Sequence, residues 1–294
     1  MIPLAKLKKD VQFNNEITLA VDVMKGIAAS RYFALEKQLA IFQTYFDVVG
    51  DFLSLADVQE VEHPFVQQRT PVNGAVLVTS NAGFLGGLNS QVLNIGLRAA
   101  GSDGAITIIG ERGTNVLRDQ RYACTAFPGI EDHARLALAL AVRDHLVTQL
   151  LTGECGKLVI VYPRPVSFSS QRVVVEPLFP CLDWLPAENS RRVLNMIWES
   201  PAADVVEYVL TQWLAFKLDE IFALSRLAEL SARVVHLEGS YQELLRRGKK
   251  LKQHYFRSRH EIIDRSMREV SSSTLLLRQL EEANAAHAPA GEFS

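Results

Sequence analysis

Residues 76–92, VLVTSNAGFLGGLNSQV, carry the residue types most suggestive of chemistry. A β-branched run ends in Ser-Asn, and a glycine turn then opens a helical pattern, as many phosphate-binding sites begin. Gly83, Gly86 and Gly87 spell G-x-x-G-G. That is neither the dinucleotide fingerprint G-x-G-x-x-G nor the G-K-[ST] ending of a P-loop. No lysine follows to meet a phosphate, and no acidic residue stands where a ribose would be held. Asn89 and Ser90 have side chains suited to capping or joining the next helix. Spacing alone favours a tight turn closing strand onto helix, with no cofactor.

The second candidate is the basic run at 246–268, RRGKKLKQHYFRSRHEIIDRSMR, with Tyr255 and Phe256 interleaved. It could track phosphates, as a coiled-coil nucleic-acid-binding module would. It could equally be a solvated helix face. A third reading sets its arginines against acidic loops of an enclosing protein. Arg257 and Arg259 lie two apart, so they face different walls of such a ring. The seven histidines show no metal spacing and no convincing Ser or Cys partner. His133 and His145 are expected twelve apart in one helix. Neither a catalytic nor a metal site is expected, and an enzyme with a Rossmann-like dinucleotide domain is the weaker rival. Cys124, Cys155 and Cys181 are odd in number and lack CxxC spacing, which suggests a reduced, cytosol-facing protein.

The composition is that of a soluble chain. It has 294 residues, 48% hydrophobic and 22% charged, with a net charge of −2. This suits one large or two modest domains and gives no global case for nucleic acid. No secretory signal is expected from the polar start. The most apolar run, at 134–151, is interrupted by Arg143, Asp144 and His145 and reads as an amphipathic helix, not a membrane span.

Leu4, Leu7, Val11, Asn14, Thr18, Val21, Lys25, Ala28, Tyr32, Leu35, Leu39, Phe42, Phe46, Val49 and Leu53 alternate steps of three and four. That is the seam of a coiled coil, weakest where Asn14, Thr18 and Lys25 interrupt it. The same alternation runs from Val206 through Trp213, Leu227, Leu237, Gly248 and Tyr255 to Ile262. A helix over about 203–283 would be about 120 Å long. Its apolar stripe needs a partner, and the N-terminal helix supplies one. Antiparallel pairing of Leu53 near Val206 sets Leu4 opposite roughly Tyr255, leaving a solitary tip of about 40 Å. Such a tip implies a surrounding partner.

Between the helices lie β-rich runs at 74–80, 104–110, 157–163 and 172–180, with helical patterns at 88–100 and 132–152. This order predicts a small Rossmann-like α/β domain with a mainly parallel, doubly wound sheet. The expected organisation is a shaft helix at 1–60, an α/β foot at 70–195, a second shaft helix at 202–283 and a disordered tail at 284–294.

Taken together, these features resemble the γ subunit of F-type rotary ATP synthases over nearly the whole chain. MKGIAASR (24–31) is similar to the family's Met-Lys-x-Val-Ala-Ala-Ser-Lys, and VTSNAGFLGGLNSQV to its Thr-Ser-Asp-Arg-Gly-Leu-Cys-Gly-Gly-Leu-Asn-Ser loop. IGERG (109–113), IWESP (197–201), LSARVVHLEGS (230–240) and YFRSRHEII (255–263) resemble further family segments in their order. The resemblance implies a non-catalytic rotor shaft of a proton- or other ion-translocating complex, its tip inside a ring of α and β subunits. The foot would rest on the ε subunit and the membrane rotor c-ring. It also implies ring contacts at Met24, Lys25, Arg257, Arg259 and His260, a foot contact at Glu199, and a structural loop marked by Gly83, Gly86, Gly87 and Asn89. The implied place is peripheral, on the cytoplasmic face of the cell's inner membrane, held there only through the complex. His260 and Phe256 replace the family's Gln and Asn, and the segment after Ile263 is poorly kept. Such departures point to a divergent branch, such as an alternate F-type ATPase.

Overall fold

A computed structural model describes residues 3–55, 58, 61–183 and 200–286. They fall into two compact units, drawn from Met1–Val23 with Gly239–Ser294, and from Met24–Glu238. Two helices contribute to both: α1 (Leu4–Glu36) and α6 (Ala202–Ala286). The expected single N-terminal helix is in two pieces, with α2 at Ala40–Leu55 after a short turn. There the amides of Gln38 and Leu39 bond back three residues, to the carbonyls of Leu35 and Glu36. This tighter 3₁₀ winding breaks the α-helix without glycine or proline. The heptad pattern survives the break, since every seam position from Leu4 to Leu53 is buried or half-buried.

In the unit built from Met24–Glu238, α1 and α6 pack through Ala28, Tyr32 and Leu35 against Ala223, Leu227, Leu230 and Val234. The pairing is antiparallel: Lys25 meets Glu238, while Tyr45 of α2 meets Phe216 further back along α6. Within this unit α6 is wrapped on more than its seam. Leu210, Leu214, Leu218, Ile221 and Phe222 are also fully buried, joined to one core with the sheet.

The sheet holds β1 (Asn73–Val78), β2 (Ala105–Ile109), β3 (Thr125–Phe127), β4 (Lys157–Ser167) and β5 (Ser170–Phe179) in the order β3-β2-β1-β4-β5. All neighbours are parallel except β4 and β5, which form an antiparallel hairpin. Helix α3 (Leu88–Ala100) and α4 (Glu111–Asp119) cover one face through Val92, Leu93 and Leu117. Helix α5 (Arg135–Thr152) covers the other with α6. Strand β3 and helix α4 are additional to the expected elements. His133 precedes α5 and stays exposed beside Glu131, whereas His145 lies at the core edge against Phe127.

Directional polar contacts accompany this apolar core. Buried Glu229 accepts from Arg226 Nη1 at 2.9 Å, and Arg226 Nε reaches Asp132 at 3.2 Å. Burial holds the Glu229 carboxyl above the ordinary glutamate value, and the Arg226 and Arg233 guanidinium groups pull it only part of the way back. A carboxyl raised in the native state contributes stability that is full below its unfolded value near 4.5 and lost as pH rises through the native one. Glu229→Gln should therefore lessen the fall in melting temperature on going from about pH 5 to about pH 8. A steeper fall in the variant than in the parent would contradict this reading.

Candidate functional site

The glycine loop is built as a brace. Asn89 joins α3 as its second residue, as expected, and there donates from Nδ2 to Ser80 Oγ at 2.9 Å and accepts the Ser80 amide at 3.2 Å. It thereby ties the end of β1 to the first turn of α3. The N-cap position is Gly87, with no side-chain cap. Gly86 has a φ of 60°, the left-handed region that favours glycine, and Phe84 shares it at 64°. Leu85 and Leu88 pack on Ala232 of α6, so the loop docks the sheet onto the long helix.

The neighbouring helix start is closed in the same way. The amides of Glu111, Arg112 and Gly113 donate to Asn81 Oδ1, the Ser80 carbonyl and Thr79 Oγ1 at 2.9, 3.1 and 3.2 Å. These are the groups a phosphate would occupy at a helix N-terminus. Here the segment that follows β1, Thr79 to Asn81, takes all three, which removes the physical basis for an anion site at α4.

The shaft residues fall in different units. Met24 and Lys25 belong to the unit of Met24–Glu238, whereas Arg257, Arg259 and His260 belong to the other. Met24 is 44% exposed on α1. Lys25 occupies a seam position and donates to Glu238 Oε2 at 2.9 Å, crossing from α1 to α6. Being partly solvated, such a pair contributes about 0–1 kcal/mol. Arg257, Arg259 and His260 are exposed, while Tyr255 and Ser258 on the seam are half-buried. Glu199 lies outside the described residues.

In the unit that holds the N-terminal end of α1, the seam runs through Tyr241, Leu244, Gly248, Leu251, Tyr255 and Ser258. At its polar point, Asn14 Nδ2 donates to the Leu244 carbonyl at 3.1 Å. A Cβ on Gly248 would stand 2.7 Å from that nitrogen, which accounts for a glycine in mid-helix. From Arg259 to Arg278 every described side chain is exposed, including Ile262, Ile263, Met267, Val270 and Leu275 to Leu277. A run of apolar side chains left in water on a helix is the mark of a surface that another molecule covers. Of the nine Lys and Arg residues at 246–268, seven fall within an arc of about 160° of the helix, and Lys252 and Arg259 lie outside it. Among the described residues no group of His, Cys, Asp and Glu could hold a metal, and no helix is long and apolar enough to cross a membrane.

The contacts that sequence reasoning missed are the polar ones between α6 and the α/β domain. Lys217 Nζ reaches Glu176 of β5 at 2.8 Å and Glu220 at 2.9 Å, and lies 5.1 Å from the centre of the Phe46 ring. Burial pulls the Lys217 ammonium down, but Glu176 and Glu220 outweigh it and hold it above the ordinary lysine value. Glu176 also accepts the Tyr162 hydroxyl at 2.7 Å. Burial, followed by the charge of Glu176, pushes that phenol far up. Arg135 of α5 meets Asp219 through Nε at 2.6 Å and Nη2 at 3.3 Å. At the hairpin tip, Ser231 Oγ donates to the Phe168 carbonyl and accepts from Gln171, while Phe168 stacks on Phe33. Partners such as Arg135 and Asp219 lie 84 residues apart, so spacing gave no signal for them.

A family model described as ATP synthase matches residues 4–274. The ATP synthase gamma chain of Methylobacillus flagellatus is 24% identical over 89% of this chain and 94% of its own. That of Rhodopirellula baltica is 26% identical over 91% and 95%. Among solved structures, a chain of the Euglena gracilis mitochondrial ATP synthase (OSCP/F1/c-ring, rotational state 3) is similar with a TM-score of 0.68 at 13% identity, covering 99% of both chains. A chain of the Tetrahymena thermophila mitochondrial ATP synthase central stalk/c-ring is similar with a TM-score of 0.55 at 17% identity, covering 75% of this chain and 99% of its own.

Proposed function

This chain belongs to the ATP synthase gamma-chain family, and we propose how its own residues serve as the central rotor shaft of a rotary ATP synthase. It is a non-catalytic subunit, and the bonds of ATP are made and broken in its neighbours. A shaft acts by differential contact: each orientation favours one conformation of the site it faces, and it can shift that site only by the difference in contact free energy. Met24, Lys25, Arg257, Arg259 and His260 are the residues assigned to the α/β ring. Arg257 and Arg259 lie about 200° apart on the helix and suit different walls of that ring. The α/β domain is the foot, meeting the ε subunit and the c-ring, with Glu199 a foot contact. The protein is peripheral to the membrane as part of the F1 sector, and its place is the cytoplasmic face of the inner membrane.

The observation that carries this reading is the stretch from Arg259 to Arg278, helical and exposed on every described side chain, in a chain the family model matches to residue 274. The test is co-expression of the full chain with the α and β subunits of its own genome. A ring complex should co-purify, and its ATP hydrolysis should exceed that of α and β alone. Absence of the complex, or hydrolysis indifferent to the chain, would reject the assignment. A nucleic-acid module would instead bind duplex DNA or RNA with an affinity falling steeply in salt.

A further inference from the structure

Apolar burial is non-directional, so the core that joins α6 to the α/β domain resists separation more than it resists rotation of the helix about its own axis. Hydrogen-bonded ion pairs have fixed geometry and do resist it. Their placement on α6 is therefore informative. Taking Lys217 as zero, at about 100° per residue, Asp219 stands at about 200°, Arg226 at about 180° and Ser231 at about 320°. Lys217 and Ser231 are held by the β4–β5 hairpin, through Glu176, Gln171 and the Phe168 carbonyl. Asp219 and Arg226 are held from the opposite side by α5 and the segment before it, through Arg135 and Asp132. The two grips span about 21 Å of helix.

Forces on opposite sides of an axis make a couple, which is what turning a rod requires. We propose that these pairs form a two-sided clamp that fixes the angular phase of α6 within the α/β domain, so that torque passes between foot and shaft without slip. The proposal rests on the shaft reading. Lys217, Glu176, Arg135 and Asp219 are positioning residues in it, since none touches a nucleotide.

The test uses the complete complex in sealed vesicles, energised by an imposed gradient of its coupling ion. Pairs are removed together, as E176Q/K217M and R135M/D219N, so that neither Glu176 nor Asp219 is left as an unpaired buried charge, while Glu220, 21% exposed, keeps its contact with water. Hydrolysis by the α, β and γ subunits alone turns the shaft without load and should stay within about twofold of the parent. Synthesis by the complete complex, which loads the joint, should fall about threefold for either pair and more than tenfold for the quadruple variant. The effect exceeds the product of the two because either buried ion pair alone still opposes rotation, whereas the quadruple variant keeps only the half-exposed Arg226–Asp132 pair and the neutral hydrogen bonds of Ser231. An unchanged ratio of synthesis to hydrolysis in the quadruple variant would assign the pairs to stability alone. So would unchanged ratios in both double variants if the quadruple failed to assemble. A parent chain that does not assemble with α and β would instead sink the shaft reading.

Discussion

Arg135→Ala is expected to lower the unfolding free energy by about 3–5 kcal/mol. Arg135 and Asp219 are 14% and 10% exposed at the side chain and share two hydrogen bonds. Deleting the guanidinium leaves a carboxylate desolvated inside the junction of α5 and α6, with nothing to offset its lost hydration. Lys25→Ala provides the contrast, because Lys25 and Glu238 are 24% and 46% exposed and water replaces the lost partner. That change should stay within about 1 kcal/mol. R135M/D219N should also lie close to the parent, since removing both charges removes the penalty along with the attraction. Urea midpoints of the full chain measure all three. A loss below about 1 kcal/mol for Arg135→Ala would mean that solvent reaches Asp219 and that the pair is not the buried tie described above.

What the sequence made legible depended on how local the physics was. The coiled-coil seam could be read because packing one helix on another repeats every three to four residues, and Leu35, Phe42 and Val49 are buried as that spacing requires. The four longer strands announced themselves as β-branched runs. Strand β3 has only three residues, Thr125–Phe127, and sits at the sheet edge, too short for alternation to show. Helix α4, ERGTNVLRD, buries only Gly113 and Leu117, so it looks like a polar loop. The break after Glu36 carries no glycine or proline signal at all. Of the residues assigned to the ring, Lys25 could be placed on the seam from its spacing, but its partner Glu238 could not be named. The clamp on α6 was invisible for the same reason. Its pairs join residues 41 to 94 positions apart, for example Glu176 with Lys217 and Asp132 with Arg226. Their side chains are ordinary charged residues until the fold brings them together.

The glycines divide along the same line, and Gly110→Ala is where the second large effect is expected. Gly110 has φ 99° and ψ 139°, a conformation that residues with a Cβ rarely hold. A Cβ there would stand 2.3 Å from the Thr79 carbonyl oxygen. Its amide donates to the Phe127 carbonyl at 3.1 Å, and its own carbonyl accepts the Thr114 hydroxyl at 2.9 Å, so β1, β3 and α4 all meet this residue. Backbone strain of about 1–3 kcal/mol and crowding of about 1–3 kcal/mol should add to a loss of roughly 2–6 kcal/mol. In the loop that resembles a phosphate cradle, Gly87 has φ −89° and nothing within 4 Å of a built Cβ. Gly87→Ala should therefore be lost in the range of an ordinary cap change, about 1 kcal/mol or less. Thermal melts of the two variants decide the matter. If Gly87→Ala proved the more damaging, the glycine loop and not the junction at Gly110 would be fixing the path of the backbone between sheet and helix.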